Sequence, residues 1–482
     1  MNVYDENAYV ELVRNGFSSD VLRQAVAASG IRPSSLLSNR LDLRGKTILS
    51  FGEQGDKHCE CAVSVYRGGG GTWQLGLHIS DVDEYVCEGS PLDEDARMRR
   101  GAVRNGFVNA DMLPPAIAHD VCDLQVGKDR LALSVIMDVG ADGTLKNVSF
   151  EESVIRVAER CLYDELDQLS IAKDASSVIT LREKYAPYLN ILLDMFELAA
   201  IFCAKRRERG GLDCAVFSRS FVRDGNGDIE FSYKQEPDSR AMVRELGYFA
   251  AEAVGRFLDE HSLPCIYVGQ DTLDETALDF LGALVGETDK SAEDFKRASD
   301  IADLAKGSPY YGFVCTAIRR ALPCVRFSDK PIFNSVAATD HLVSFIHPVT
   351  KYSSLLTVRM IKNCILASGD PKNINLNKYR KMASVAAERA NDAENFIYTT
   401  QKRFFLDSAY EYIGNNVGRQ HVGFPIALHE SGGVSLMLLC GLIATVPAEY
   451  AKGFDLAVGT PCRVEVIALG TKEEPAVVKP VK

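Results

Sequence analysis

The stretch Ala62–Ile79 reads AVSVYRGGGGTWQLGLHI. Ala62, Val63 and Val65 lead into Arg67 and four glycines, after which Trp73, Leu75, Leu77 and Ile79 recur at every second position. Apolar residues with a period of two on either side of a glycine run predict two strands joined by a turn. Four consecutive glycines also raise the question of a phosphate cradle. No Lys-Ser/Thr pair follows, however, and the next element is a strand rather than a helix, so the hairpin reading is preferred.

Working outward, Leu131–Val139 is a further strand, turned at Ala141-Asp142-Gly143, with a partner at Leu145–Phe150. The middle of the chain is helical. Leu189–Glu208 is apolar through most of its length and ends on Lys205, Arg206, Arg207 and Arg209 before Gly210-Gly211, the cations and glycine of a helix stop. Arg240–Leu258 carries the stripe Met242, Leu246, Phe249, Ala250, Ala253, Val254 and Phe257. Asn377–Leu406 is the longest helical run without Gly or Pro, and its stripe includes Met382, Val385, Ala386, Ala390, Ala393 and Ile397. Near the N-terminus, Val21, Leu22, Ala25 and Val26 fall at helical spacing before Gly30 and Pro33. From about residue 413 the short apolar runs Gly423–Leu428, Val434–Leu439, Leu442–Val446 and Cys462–Leu469 predict a small barrel. Lys472–Lys482, polar and Pro-containing, is expected to be a loose tail.

The chain has 482 residues, with 54 Lys+Arg against 66 Asp+Glu and a net charge of −12. This composition excludes a disordered chain and a polybasic nucleic-acid tail. Thirteen scattered cysteines in a chain of this size read as free thiols in a reducing cytoplasm. The first twenty residues lack a basic region followed by an apolar run, and no stretch approaches the roughly 18 apolar residues of a membrane helix, so no membrane partner is expected.

Blocks along the chain resemble the RNase II/RNase R family of bacterial exoribonucleases, whose shared catalytic module is the RNB domain. The blocks run in family order over roughly residues 42 to 405. They include Asp42-Leu43-Arg44, Leu77-His78-Ile79-Ser80-Asp81-Val82, Gly89-Ser90-Pro91-Leu92-Asp93, Asp129-Arg130-Leu131-Ala132-Leu133-Ser134, Ser153-Val154-Ile155-Arg156 and Tyr163-Asp164-Glu165. The resemblance implies an α+β chain. It would have a short helical N-terminal element over 1–40, an RNB-type fold of mixed sheet packed with helices over 41–410, an OB-type RNA-binding barrel over 413–471 and a tail over 472–482. The two cold-shock domains that precede the module in longer members are not expected, since no block before residue 42 resembles them.

The family's chemistry is metal-assisted hydrolysis of RNA from its 3′ end, with aspartates in the pattern D-x5-D-x-D-D as ligands. Magnesium requires hard oxygen ligands in near-octahedral geometry, and a pair of such ions can stabilise attacking and leaving oxygens. Counted without a gap, the four positions fall on Gly52, His58, Glu60 and Cys61, of which only Glu60 keeps a carboxylate. A phosphate-clamping arginine of the family falls on Thr350, and an acidic residue near the 3′ nucleotide falls near Ser218 and Arg219. The block that carries an RNA-clamping tyrosine is one residue short and reads Arg104-Asn105-Gly106-Phe107-Val108. Tyr163 survives, at a position that stacks near the terminal bases in the family.

The kept residues are structural and the lost ones chemical, which predicts an RNB-fold pseudonuclease with no catalytic residue intact, no metal and no cofactor. Tyr163, Lys351, Tyr352, Arg359, Arg206 and Arg209 are candidates for RNA contact, although Arg206 and Arg209 also read as a capped helix end. His78 and Asp81 read as strand-end hydrogen-bonding residues. His58-Cys59-Glu60-Cys61 raises a new zinc site, but side chains alternate along a strand, so one face offers only two ligands. Cys87, Cys122 and His119 would have to complete it. Three functions stay open: a binder of single-stranded RNA without efficient hydrolysis, a magnesium-dependent 3′-to-5′ exoribonuclease with a rearranged site, and a protein-interaction scaffold that has lost RNA.

Overall fold

The computed structural model describes residues 16–56, 58–104, 109–171, 176–223, 225, 227–285, 297–366, 375–458, 460–471 and 474–481. The segment 105–108, where the tyrosine-block reading falls, lies outside the described residues. The chain forms two compact units. One comprises Met1–Arg209, Pro237–Gln270 and Val325–Ile397; the other comprises Gly210–Glu236, Asp271–Cys324 and Tyr398–Lys482.

The first unit is built on a seven-stranded mixed sheet of β1 (Leu41–Asp42), β2 (Leu49–Gly52), β3 (Cys61–Arg67), β4 (Trp73–Ser80), β5 (Asp129–Val139), β6 (Leu145–Arg156) and β7 (Glu159–Leu162), in the order β1-β6-β5-β4-β3-β2-β7. The glycine run joins β3 to β4 as the expected hairpin, in register from Cys61 opposite Ile79 to Arg67 opposite Trp73. Gly70 and Gly71 turn the chain with φ of 67° and 77°, a left-handed backbone that glycine adopts without a Cβ clash. Leu49, Val63, Val65, Trp73, Leu75 and Leu77 are buried in one core with residues of α3 (Leu189–Glu208) and α4 (Asp238–Glu260), each apolar side chain worth about 1.5–3 kcal/mol. The helical stretch 179–208 is, by length and hydropathy alone, apolar enough to cross a membrane, contrary to the expectation that no stretch is. Its Leu192, Met195, Leu198, Ala199 and Phe202 are packed into that core.

A second core joins α1 (Ser19–Ala28), capped by the Ser18 hydroxyl, to α2 (Pro91–Arg99) and α5 (Tyr352–Ile361), through Val21, Ala25, Leu92, Ala96 and Leu355. Two buried polar side chains inside the unit are well partnered. His78 lies between Ser64 (Nε2–Oγ 2.9 Å) and Ser134 (Nδ1–Oγ 2.7 Å), and burial pushes its pKa down to about 3. Gly76 makes room for this chain, since a Cβ there would stand 2.5 Å from Ser64 Oγ. Asp81 is buried between Lys362 (2.9 Å) and Arg40 (2.7 Å). Both residues thus have the structural part expected of them.

The helix expected at 377–406 is α6 (Leu376–Gly414). In the second unit, β8 (Gln420–Leu428), β9 (Val434–Leu438), β10 (Ile443–Val446), β11 (Cys462–Ala468) and β12 (Ala476–Pro480) close a barrel in the order β8-β9-β10-β12-β11. The fifth strand corrects the reading of 472–482 as a loose tail. Ala476, Val478 and Pro480 alternate into the barrel, and β12 pairs with both β11 and β10. Closure leaves no sheet edge open.

Candidate functional site

The four positions of the aspartate pattern lie along the end of β2, the turn that follows it and the start of β3. β2 runs parallel to β7, with Ser50 opposite Arg160 and Gly52 opposite Leu162. Alternation puts Gly52 and Arg160 on the same face. A Cβ at Gly52 would stand 2.7 Å from Nη2 of Arg160, 3.2 Å from its Nε and 2.8 Å from Oδ2 of Asp56. A guanidinium therefore occupies the space into which a side chain at position 52 would project. Nε and Nη2 of Arg160 are buried and make no hydrogen bond; Asp56 is its ion partner, at 3.5 Å.

The turn Glu53–Asp56 is closed by the Glu53 N–H donating to Asp56 Oδ2 (2.6 Å). Its two acids engage two arginines: Asp56 faces Arg160 and Glu53 pairs with Arg240 of α4. Arg240 in turn lies over the ring of Tyr163, 5.5 Å from its centre, and Tyr163 stacks on Phe51 at 6.4 Å and 16°. Burial pushes the Tyr163 phenol above its ordinary range. The structure thus brings together Gly52, Tyr163 and two arginines that sequence reading missed.

Glu60 is buried and its carboxylate is already satisfied. Oε2 accepts the Val349 N–H (2.8 Å), Oε1 accepts the Thr350 hydroxyl (2.8 Å), and Nδ1 of His347 lies 3.1 Å from Oε1. Burial opposes its ionisation, but His347 and Thr350 outweigh that cost and hold the carboxyl below its usual range. Thr350 is therefore a partner of Glu60. Burial pushes the Cys61 thiol well above its ordinary range, with Cys59 and Glu60 adding to the effect. His58 is half-buried, with Nδ1 making no hydrogen bond, and its ring lies 5.2 Å from His119, which pairs with Asp111 (2.9 Å). Burial lowers the His58 pKa.

Among the described residues one group of carboxylates could converge on a metal ion, Asp81, Glu84 and Glu152. Arg40 and Lys362 already fill it: Arg40 lies 2.7 Å from Asp81 and Glu84, and Lys362 lies 2.9 Å from Asp81 and 3.1 Å from Glu152. His58, Cys59, Glu60 and Cys61 form no such group with Cys87, Cys122 or His119, which corrects the zinc alternative. Cys59 is instead buried, its N–H donating to Asp123 (2.8 Å).

Three RNA-contact candidates are corrected by burial. Arg359 is enclosed, with Nε on Asp83 (2.5 Å), Nη1 on Asp93 (3.0 Å) and Nη2 on the Val86 carbonyl (2.7 Å). Tyr352 is buried and its hydroxyl donates to Asp93 (3.2 Å). Arg206 is buried in a two-point pair with Glu245 (2.9 and 2.7 Å). Arg209 forms a similar pair with Glu252 (2.8 Å at both nitrogens) at the end of α3, the capped-helix reading. Lys351 remains half-exposed, 3.2 Å from Glu394. Ser218 and Arg219, where an acidic residue was expected, lie on the strand Phe217–Arg223 of the second unit.

The sequence signature of the RNB domain matches residues 40–367. The chain belongs to the RNB domain family. Ribonuclease R 1 of Lactococcus lactis subsp. lactis is 26% identical over 477 residues, which cover 94% of this chain and 57% of the relative. Ribonuclease R of Thermotoga maritima is 26% identical over 409 residues, 83% of this chain and 57% of the relative. This RNB-family chain thus spans 57% of the length of either one. Among solved structures, Mycoplasma genitalium RNase R in complex with ribose-methylated single-stranded RNA shares the fold with a TM-score of 0.78 at 17% identity, over 96% of this chain and 76% of that one. Yeast Ssd1, a pseudonuclease, does so with a TM-score of 0.63 at 17% identity, over 87% and 52%.

Magnesium is the ion the RNB fold implies, and the residues present do not fit it. Position 52 has no donor and faces a guanidinium, Glu60 is held by three protein donors, and position 61 carries a soft, protonated thiol. The arrangement sets two arginines, each facing a carboxylate of the turn, beside the Phe51–Tyr163 stack; it does not assemble oxygens around a cation.

Proposed function

We propose that this protein binds single-stranded RNA without hydrolysing it efficiently. The observation that carries the reading is the Arg160 guanidinium, which stands 2.7 Å from where a side chain would begin at position 52. A fixed cation there repels a divalent ion but suits a phosphate, and phosphate contacts supply most nucleic-acid affinity without doing chemistry. Tyr163, stacked on Phe51 and covered by Arg240, offers a base a face once Arg240 moves from its ring to a phosphate. The related RNase R solved with single-stranded RNA, and the structural kinship to a pseudonuclease, support the same reading. The proposed setting is a reducing cytoplasm, which thirteen unpaired cysteines suit.

The test is end-labelled single-stranded RNA with the purified chain, with magnesium, with manganese and with neither, read by gel shift and by denaturing gel. The expected result is a salt-sensitive shift and full-length RNA throughout. Metal-dependent shortening by the parent chain that is lost in a Glu60→Ala variant shown by thermal melting to be folded would establish the nuclease alternative, and absence of any shift would favour the scaffold.

A further inference from the structure

A cavity of about 230 Å3 in the first unit takes no part in the site described above. It lies between the end of α2, the start of α5 and the outer face of α6. Every charged residue lining it is a cation: Arg97, Arg100, Lys381 and Arg389. Its remaining wall is largely aliphatic, with Leu356, Met382 and Val385 prominent.

Two of the four charges have no counter-ion among the described residues. Arg97 pairs with Glu94, but Arg389 and Lys381 make no ion pair or hydrogen bond with any described residue. Burial, and then the proximity of Arg97 and Arg100, lowers the affinity of Arg389 for its proton. Arg100 has a left-handed backbone, φ 64°, unusual for a side chain with a Cβ, and its carbonyl accepts the Tyr352 N–H (2.9 Å), which fixes the end of α2 against the start of α5. Val385, expected in the buried stripe of α6, is 46% exposed. A protein of net charge −12 that gathers four cations around an aliphatic floor has built a place where an anion with an apolar body is stabilised.

We propose that this cavity binds a nucleotide, with its phosphate among Arg97, Arg100, Lys381 and Arg389 and its ribose and base against Leu356, Met382 and Val385. A volume of about 230 Å3 caps the occupant at a single nucleotide unit, held only in part, because it is below the roughly 300–1,000 Å3 of pockets that enclose whole drug-sized ligands. The nucleotide can be free or part of a strand. In the second case the cavity is a further contact for the RNA of the proposed function.

Calorimetry with uridine 5′-monophosphate, uridine and an oligouridylate separates these cases, using the full chain, Arg389→Gln and Val385→Asp, each checked for folding by thermal melting. The monophosphate is expected to bind, uridine to bind at least tenfold more weakly, and both variants to lose at least tenfold in monophosphate affinity. If only the oligouridylate binds, and does so more weakly to both variants, the source is a strand. Monophosphate binding without oligouridylate binding overturns the RNA reading and leaves the cavity assigned. As a second readout, inorganic phosphate should raise the melting temperature of the parent chain more than that of Arg389→Gln. Affinities for both ligands that are unchanged in folded Arg389→Gln and Val385→Asp overturn the proposal.

Discussion

Replacing Glu60 with alanine separates a structural carboxylate from a catalytic one by the sign of its effect. Glu60→Ala removes the acceptor of the buried Val349 N–H and of the half-buried Thr350 hydroxyl, and the partner of the exposed His347. Leaving the buried Val349 N–H without its charged acceptor costs about 1.5–3 kcal/mol, whereas the Thr350 hydroxyl and His347 can turn to water, so a loss of about 1.5–3 kcal/mol is expected. An acid kept for metal binding behaves oppositely, because its removal relieves repulsion and commonly stabilises the protein. Trp73, the single tryptophan, is buried in β4 of the first unit, so its fluorescence during urea unfolding reports on the unit that holds Glu60. The folded Glu60 carboxyl titrates below its unfolded value. Its stabilising contribution is therefore full above the ordinary glutamate value of about 4.3 and is lost as pH falls through the folded value. A neutral or stabilising Glu60→Ala at pH 7 would refute the reasoning and restore Glu60 as a candidate metal ligand.

Arg359→Ala should destabilise the first unit by about 3–5 kcal/mol in the same assay, because Asp83 and Asp93 lose a buried counter-ion. His78, whose folded pKa is pushed down to about 3, binds its proton more readily when unfolded. It therefore contributes stability above pH about 6.5 that is lost as pH falls toward 3, and His78→Gln should flatten the fall in unfolding free energy between pH about 6 and 4. RNA affinity measured by gel shift in EDTA should match that in magnesium to within about twofold at matched ionic strength, since the cation at position 52 belongs to the protein. Arg160→Ala should weaken that affinity in both buffers, by less than the roughly 1.5–3 kcal/mol of one charged hydrogen bond, because Asp56 already faces Arg160.

Local pattern was legible wherever an element declares itself by its own residues. The period of two around the glycine run gave the β3–β4 hairpin, and the stripe of α4 gave its buried face. The final barrel strand was not legible, because Ala476-Val477-Val478-Lys479-Pro480 is short and ends in a lysine and a proline, and its apolar residues gain meaning only once β10 and β11 flank them. Substitution of the aspartates could be read directly, but what took their place could not. Arg160 reaches position 52 through the parallel pairing of β2 with β7, a register that no spacing in the sequence reveals. The same limit explains Arg206 and Arg359: a cation written in sequence looks available until its acids, Glu245 in one case and Asp83 and Asp93 in the other, are brought to it from elsewhere in the chain.

The turn that carries Glu53 and Asp56 keeps Arg240 and Arg160 occupied with carboxylates of the chain's own. An anion arriving from solution must trade places with these internal mimics, so capture is an exchange of like for like, and its net gain is the small difference between two similar pairings. Such a balance is easily tipped, and a polyanion that grips both arginines at once outcompetes two tethered carboxylates far better than any single charge can.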